Sequence, residues 1–132
     1  MSDEVRVVVI DDVSDAADAL ALALQLDGYD VRTAHNGVDA LSLIETYRPH
    51  CVLLDIEMPQ MDGCELSKQL RRLYGDDIVL VAVTGWGKDN ERVAESFGRV
   101  DHYLQKPIVY EKLQVILPPL NKPGRHEPAG DP

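Results

Sequence analysis

The chain has 132 residues, enough for one domain with a single full core. Its 45% hydrophobic and 27% charged content is ordinary for a globular protein, no apolar run reaches bilayer length, and the acidic start MSDEVRVVVIDD is the wrong sign for a secretory signal. The formal net charge of −10 argues against nucleic-acid binding, which needs clustered Lys and Arg; Cys51 and Cys64 read as free thiols of a reduced, cytoplasmic protein, with a Cys51–Cys64 bridge as the alternative.

VRVVVI (5–10) is a short, β-branched apolar run that suits a strand buried on both faces. Ser14 is the expected helix cap, with Asp15 in the first turn. Ala17, Leu20, Ala21 and Leu24 then recur at helical spacing up to Asp27-Gly28. YDVRTA (29–34) is a more polar strand, expected at an edge. After the Asn36-Gly37 turn, Val38, Leu41 and Ile44, with Ala40 and Leu43 beside them, predict a second helix ending before Pro49. CVLLD (51–55) is a third strand, and MPQMDG (58–63) a loop. Leu66, Leu70 and Leu73 mark a third helix. DIVLVAVT (77–84) is a fourth strand, GWGKDN (85–90) a loop, and residues about 89–97 a polar helix with a thin stripe of Val93, Ala94 and Phe97. DHYLQ (101–105) is a fifth strand. A last helix over 109–117 points Leu113, Ile116 and Leu117 inward.

Strand and helix thus alternate five times with short connections. That predicts an α/β fold: one five-stranded parallel sheet, doubly wound in the flavodoxin-like order 2-1-3-4-5. The folded domain is expected over residues 1–120. The stretch 121–132 belongs to a Pro-rich tail, PPLNKPGRHEPAGDP, which reads as disordered, and no second domain is expected.

In such sheets ligands bind at the carboxyl ends of the strands. Strand one delivers Asp11 and Asp12 there, strand three Asp55, strand four Thr84, and strand five leads to Lys106. Crowded carboxylates repel and raise one another's pKa unless a cation neutralises them. A hard divalent ion with oxygen ligands, such as Mg²⁺, does so best. Lys106 can hold a carboxylate or a phosphoryl oxygen, and Thr84 offers a hydroxyl to the same oxygen. An aspartate fixed beside Mg²⁺, a lysine and a hydroxyl is equipped to accept a phosphoryl group as a nucleophile.

These residues carry a resemblance. Asp11-Asp12 after VVVI, Asp55 after CVLL, Met58-Pro59, Asp62-Gly63, Thr84 after VLVAV, and Lys106-Pro107 after Tyr103-Leu104-Gln105 resemble a response regulator receiver domain of two-component signalling over residues about 5 to 117. TGWG (84–87) and DHYLQKP (101–107) are similar to receivers of hybrid histidine kinases. The resemblance implies a bacterial cytoplasmic protein with Asp55 as phosphoacceptor. It implies Mg²⁺ held by Asp11, Asp12, Asp55 and the backbone carbonyl of Glu57, Lys106 on the phosphoryl group, and Thr84 and Tyr103 as a switch pair. The Lys106–Pro107 peptide is expected to be cis. The implied donor is a histidine kinase or histidine phosphotransfer protein. The implied readout is a protein target meeting the face of the fourth helix, fifth strand and last helix, with no nucleic acid or membrane involved and the oligomeric state left open. Glu57 and Trp86 flank the phosphoryl position and are expected to slow attack by water; FGRVDHY departs from the family's usual approach to the fifth strand.

Taken singly, each residue has a plainer reading. Asp11-Asp12 alone is a solvated turn, Thr84 a turn residue, Tyr103 a core aromatic, and Met58 and Met61 loop packing. His35, His50, His102 and His126 show no ligand spacing. Two other functions fit parts of the pattern. Asp55-Ile56-Glu57 loosely echoes the two-acid motif of haloacid-dehalogenase-type phosphatases, but that motif sits on the first strand and has two aspartates. A receiver-like binding module working without phosphorylation is the other, and the complete acidic set, Thr84 and Lys106 argue against it.

Overall fold

The computed structural model describes residues 5–56, 63–85 and 100–118. The strands are β1 (Arg6–Ile10), β2 (Asp30–Ala34), β3 (Cys51–Asp55), β4 (Val79–Thr84) and β5 (His102–Gln105). The helices are α1 (Ser14–Leu26), α2 (Gly37–Tyr47), α3 (Gly63–Tyr74) and a C-terminal helix (Tyr110–Ile116), with a 3₁₀ turn at Gly75–Asp77. All strand pairs are parallel, in the order β2-β1-β3-β4-β5.

Side chains of a strand alternate between the faces of its sheet. Val7 and Val9 of β1, with Leu53 of β3, enter a core closed by Ala17, Ala21 and Leu24 of α1 and Leu113 of the C-terminal helix. Val8 and Ile10, with Val52 and Leu54, enter a second core closed by Ala40 and Ile44 of α2 and Leu66 and Leu70 of α3. Both faces are covered, so β1 and β3 need apolar side chains in unbroken runs. β2 is an edge strand, as its polar sequence predicts.

The buried helical stripes differ from the expected ones in detail. Val38 is 75% exposed, whereas Ile44 and Ala40 are buried as expected and Gly37 is buried with them. Leu73 shares the helical spacing of Leu66 and Leu70 but stands at the last turn of α3 and is 61% exposed. Ser14 does not cap α1. The N-cap is Val13, in extended conformation and without a side-chain cap bond, and Asp11 Oδ1 accepts the Val13 N–H at 2.9 Å. The turn made by Asp11 therefore sets the helix start. The α2 cap is the side chain of Asn36, which accepts the Asp39 N–H at 2.8 Å. At the end of α1, Gly28 takes the left-handed φ of 111° that the helix exit needs. Cys51 is a free, buried thiol at the opposite end of β3 from the α3 start that holds Cys64, which removes the Cys51–Cys64 bridge.

From β1 the chain winds outward to β2, then returns past β1 to β3. The connections after β1 and β3 leave in opposite directions, and a crevice opens between their carboxyl ends. Asp11 and Asp55 stand on its two sides.

Candidate phosphoacceptor site

The strand ends bring the predicted carboxylates together. Asp11, Asp12 and Asp55 each offer an oxygen, and these oxygens lie within 4.8 Å of one another. Asp55 is 4% exposed and Asp11 8%. Asp12 is the more open of the three. Asp55 is the last residue of β3, opposite Val83 of β4, and the next N–H, that of Ile56, donates to Val83 O at 3.0 Å. Pairing thus continues past Asp55, which fixes its backbone.

Lys106 is the cation that the described residues set against this cluster. Its Nζ lies 3.3 Å from Asp55 Oδ2 and 3.8 Å from Asp11 Oδ2. The Lys106–Pro107 peptide is cis, as expected from the sequence. The Lys106 N–H donates to Thr84 O at 2.8 Å, which pins the loop after β5 to the end of β4. Thr84 is 2% exposed at that end. Tyr103 on β5 is half-buried and packs with Val100 against Ile56 and Ala82. Three carboxylates crowded at a mostly buried rim exceed what one ammonium neutralises, and all of them are hard oxygen donors. The set fits a divalent cation of the Mg²⁺ type. A mostly apolar cavity of about 420 Å³ opens beside the cluster, between Ala16, Ala19 and Leu20 of α1 and Pro107 and Ile108 after β5.

Glu57, Met58, Pro59, Asp62, Trp86 and the predicted helix over 89–97 lie outside the described residues. His50 stands at the other pole of the sheet, where its Nδ1 accepts the Arg6 N–H at 2.9 Å. One functional position escapes sequence reasoning. A Cβ added at Gly63 would lie 2.6 Å from both Asp55 O and Ile56 Cα, so this glycine lets α3 start directly against the end of β3. The only signal for it was Asp62-Gly63, which reads first as turn chemistry.

Comparison with known proteins agrees with this geometry. Residues 7–117 match the response regulator receiver domain family, and the chain belongs to it. It is a phosphoacceptor-type domain of two-component signalling, whose family feature is an aspartate phosphorylation site. Among curated relatives, the response regulator MprA of Mycobacterium tuberculosis (strain ATCC 25618 / H37Rv) is 37% identical over 127 residues, 96% of this chain and 55% of that protein. MprA of Mycobacterium ulcerans is 40% identical over 109 residues, 83% of this chain and 47% of that protein. The chain therefore spans about half the length of these relatives. A CheY-like receiver domain protein from Methanospirillum hungatei superposes with a TM-score of 0.77 at 28% identity, covering 83% of this chain and 87% of that one. A response regulator from Burkholderia pseudomallei, solved with a phosphorylated aspartic acid, calcium ion and citrate, gives a TM-score of 0.79 at 28% identity over 87% of this chain and 67% of that one. Among the described residues, no helix is long and apolar enough to cross a membrane.

Proposed function

We propose that Asp55 accepts a phosphoryl group from a phosphohistidine on a histidine kinase or histidine phosphotransfer protein, in a Mg²⁺-dependent reaction. The observation that carries this is the placement of a buried Asp55 at the switch point, within 4.8 Å of the Asp11 and Asp12 oxygens and with Lys106 Nζ at 3.3 Å. The relative crystallised with a phosphorylated aspartic acid and a calcium ion supports the same reading. Asp11, Asp12 and Asp55 would hold the cation, with the Glu57 carbonyl completing the protein ligands. When bound, Mg²⁺ neutralises charge on the transferring oxygens.

The chain's own residues do the rest by position. A carboxylate oxygen of Asp55 attacks phosphorus. The P–N bond to the donor imidazole breaks, and the nitrogen leaves with that electron pair and takes a proton. The product is an aspartyl phosphate. Lys106 then exchanges its contact with the Asp55 carboxylate for one with a phosphoryl oxygen, and the Thr84 hydroxyl donates to another. Drawing Thr84 towards the phosphoryl group frees room for Tyr103 to turn inward, and the two arrangements differ at the face built on β5 and the C-terminal helix. The domain acts as a signalling phosphoacceptor whose readout is a protein contact or onward transfer, with residues 1–120 as the receiver unit and 121–132 trailing it. Glu57 and Trp86 slow attack by water on the product.

Hydroxylamine converts an acyl phosphate to a hydroxamate. After treatment with acetyl phosphate and Mg²⁺, peptide mapping should place a single hydroxamate at Asp55. Steady turnover of p-nitrophenyl phosphate would favour a phosphohydrolase instead. Partner capture indifferent to acetyl phosphate would favour a binding module.

A further inference from the structure

Asp11 is gripped from two successive residues of the corner between β2 and α2. Its N–H donates to Ala34 O at 3.1 Å, and its carbonyl oxygen lies 3.1 Å from His35 Nδ1. A carbonyl oxygen can only accept, so His35 Nδ1 carries the proton and donates. The carbonyl in question belongs to the peptide that joins Asp11 to Asp12. One hydrogen bond therefore fixes the plane from which both adjacent carboxylates are aimed. With Val13 N–H on Asp11 Oδ1 at 2.9 Å, the backbone N–H, the backbone C=O and one carboxylate oxygen of Asp11 are all engaged, and Oδ2 is turned towards Lys106 at 3.8 Å.

The arm that supplies His35 is itself rigid. Ala34, on one side, pairs in register with Ile10 at the end of β1. Asn36, on the other, caps α2 through the Asp39 N–H at 2.8 Å. A histidine held at both flanks is suited to holding a neighbour. The task is demanding, because the carboxylates repel until a cation arrives, and a loose peptide between Asp11 and Asp12 would let them swing apart.

We infer that His35 is a positioning residue for cation binding: through its Nδ1 donor it fixes the Asp11–Asp12 peptide and so presets the metal-ligating carboxylates. The inference rests on the proposed Mg²⁺ site. His35 acts through the Asp11–Asp12 peptide and does not itself touch the cation.

The test is Mg²⁺ titration of the full chain by calorimetry, with thermal unfolding in EDTA measured beside it. His35→Asn keeps a donor where Nδ1 stands. His35→Leu has the same branched shape and no donor. The expected result is a Mg²⁺ dissociation constant about tenfold weaker in H35L, the lower end of what outer-shell substitutions cost, and close to the wild-type value in H35N. Since His35 is only partly buried, both variants should fold. Should H35L not fold, His35→Ala replaces it with the same expectation. Wild-type affinity in the variant without a donor overturns the inference, and so does H35N binding as weakly as H35L. A histidine with only a structural role would shift the melting temperature in EDTA and leave the dissociation constant alone. A wild-type chain that takes up no Mg²⁺ fails differently: it removes the cation site itself, and the role of His35 with it.

Discussion

A methyl group at residue 63 would have to share space with Asp55 O and Ile56 Cα, each 2.6 Å from its position. Both neighbours are backbone, so neither can rotate away, and the start of α3 or the tip of β3 must move. Gly63→Ala should cost about 1–3 kcal/mol, as overpacking of a dense interior does, read as a lower urea midpoint with unchanged slope. It should also slow phosphorylation of Asp55 more than its stability loss accounts for. His50 gives a residue-scale prediction with a pH sign. Burial and then the Arg6 charge hold its pKa below the ordinary 6.5, and its Nδ1 must stay bare to accept the Arg6 N–H. The unfolded chain thus binds a proton that the native state resists. The contribution of His50 is present above pH 6.5 and is lost as pH falls through the lowered folded value. Arg6, Arg48, Tyr74 and Asp77 line the same recess. His50→Asn keeps an acceptor without titrating. Its melting temperature relative to wild type should rise between pH 7.5 and pH 5.5, and parallel profiles would contradict the assignment. Cys51 is wholly buried, and burial, with Asp101 second, pushes its thiol up to about 12. Iodoacetamide should leave Cys51 unmodified in the native protein and alkylate it fully in urea, as peptide mass mapping would record.

At the scale of elements, α3, β4 and the approach to β5 meet at one carboxylate. Asp101 Oδ2 accepts from Arg71 at 2.7 Å and from the Leu80 N–H at 2.8 Å, while the Asp101 N–H donates to Leu80 O at 2.8 Å. Arg71 also donates to Gly75 O and Ile78 O, closing the turn after α3. Asp101→Ala leaves the Leu80 N–H and the guanidinium short of a partner. It should cost about 1–3 kcal/mol in chemical denaturation, whereas Asp101→Asn, which keeps an acceptor, should cost less. Sequence pattern could not reveal this joint, because its partners are 21 and 30 residues apart. The same limit explains the errors on helix faces. Val38 and Leu73 are apolar and near the right spacing, yet the angle at which each helix meets the sheet decides which stripe is covered, and that angle is tertiary. Ser14 was a reasonable cap by residue type. The Asp11 turn had already fixed the helix start, and an acceptor shared between a site and a helix entry leaves no local signature.

For the molecule as a whole, the fold was legible because β1 and β4 are short β-branched runs, β3 a short apolar one, and the segments between the strands carry helical spacing. Two coverable faces and short connections then leave few arrangements. Most of the site was legible for a related reason. In a parallel sheet the residues just past the strands converge, so Asp11, Asp12, Asp55, Thr84 and Lys106 could be placed without knowing any helix angle. His35 and Gly63 were not legible, since their roles lie in close approaches between elements that pattern does not specify. The proposed role of Asp55 as phosphoacceptor rests on this convergence. The most direct measurement is intact mass after incubation with acetyl phosphate, with Mg²⁺ or EDTA, for wild type and Asp55→Asn. Wild type with Mg²⁺ should gain one phosphoryl group, and neither wild type with EDTA nor the variant should gain any. An unchanged wild-type mass, or an equal gain in Asp55→Asn, would contradict that role.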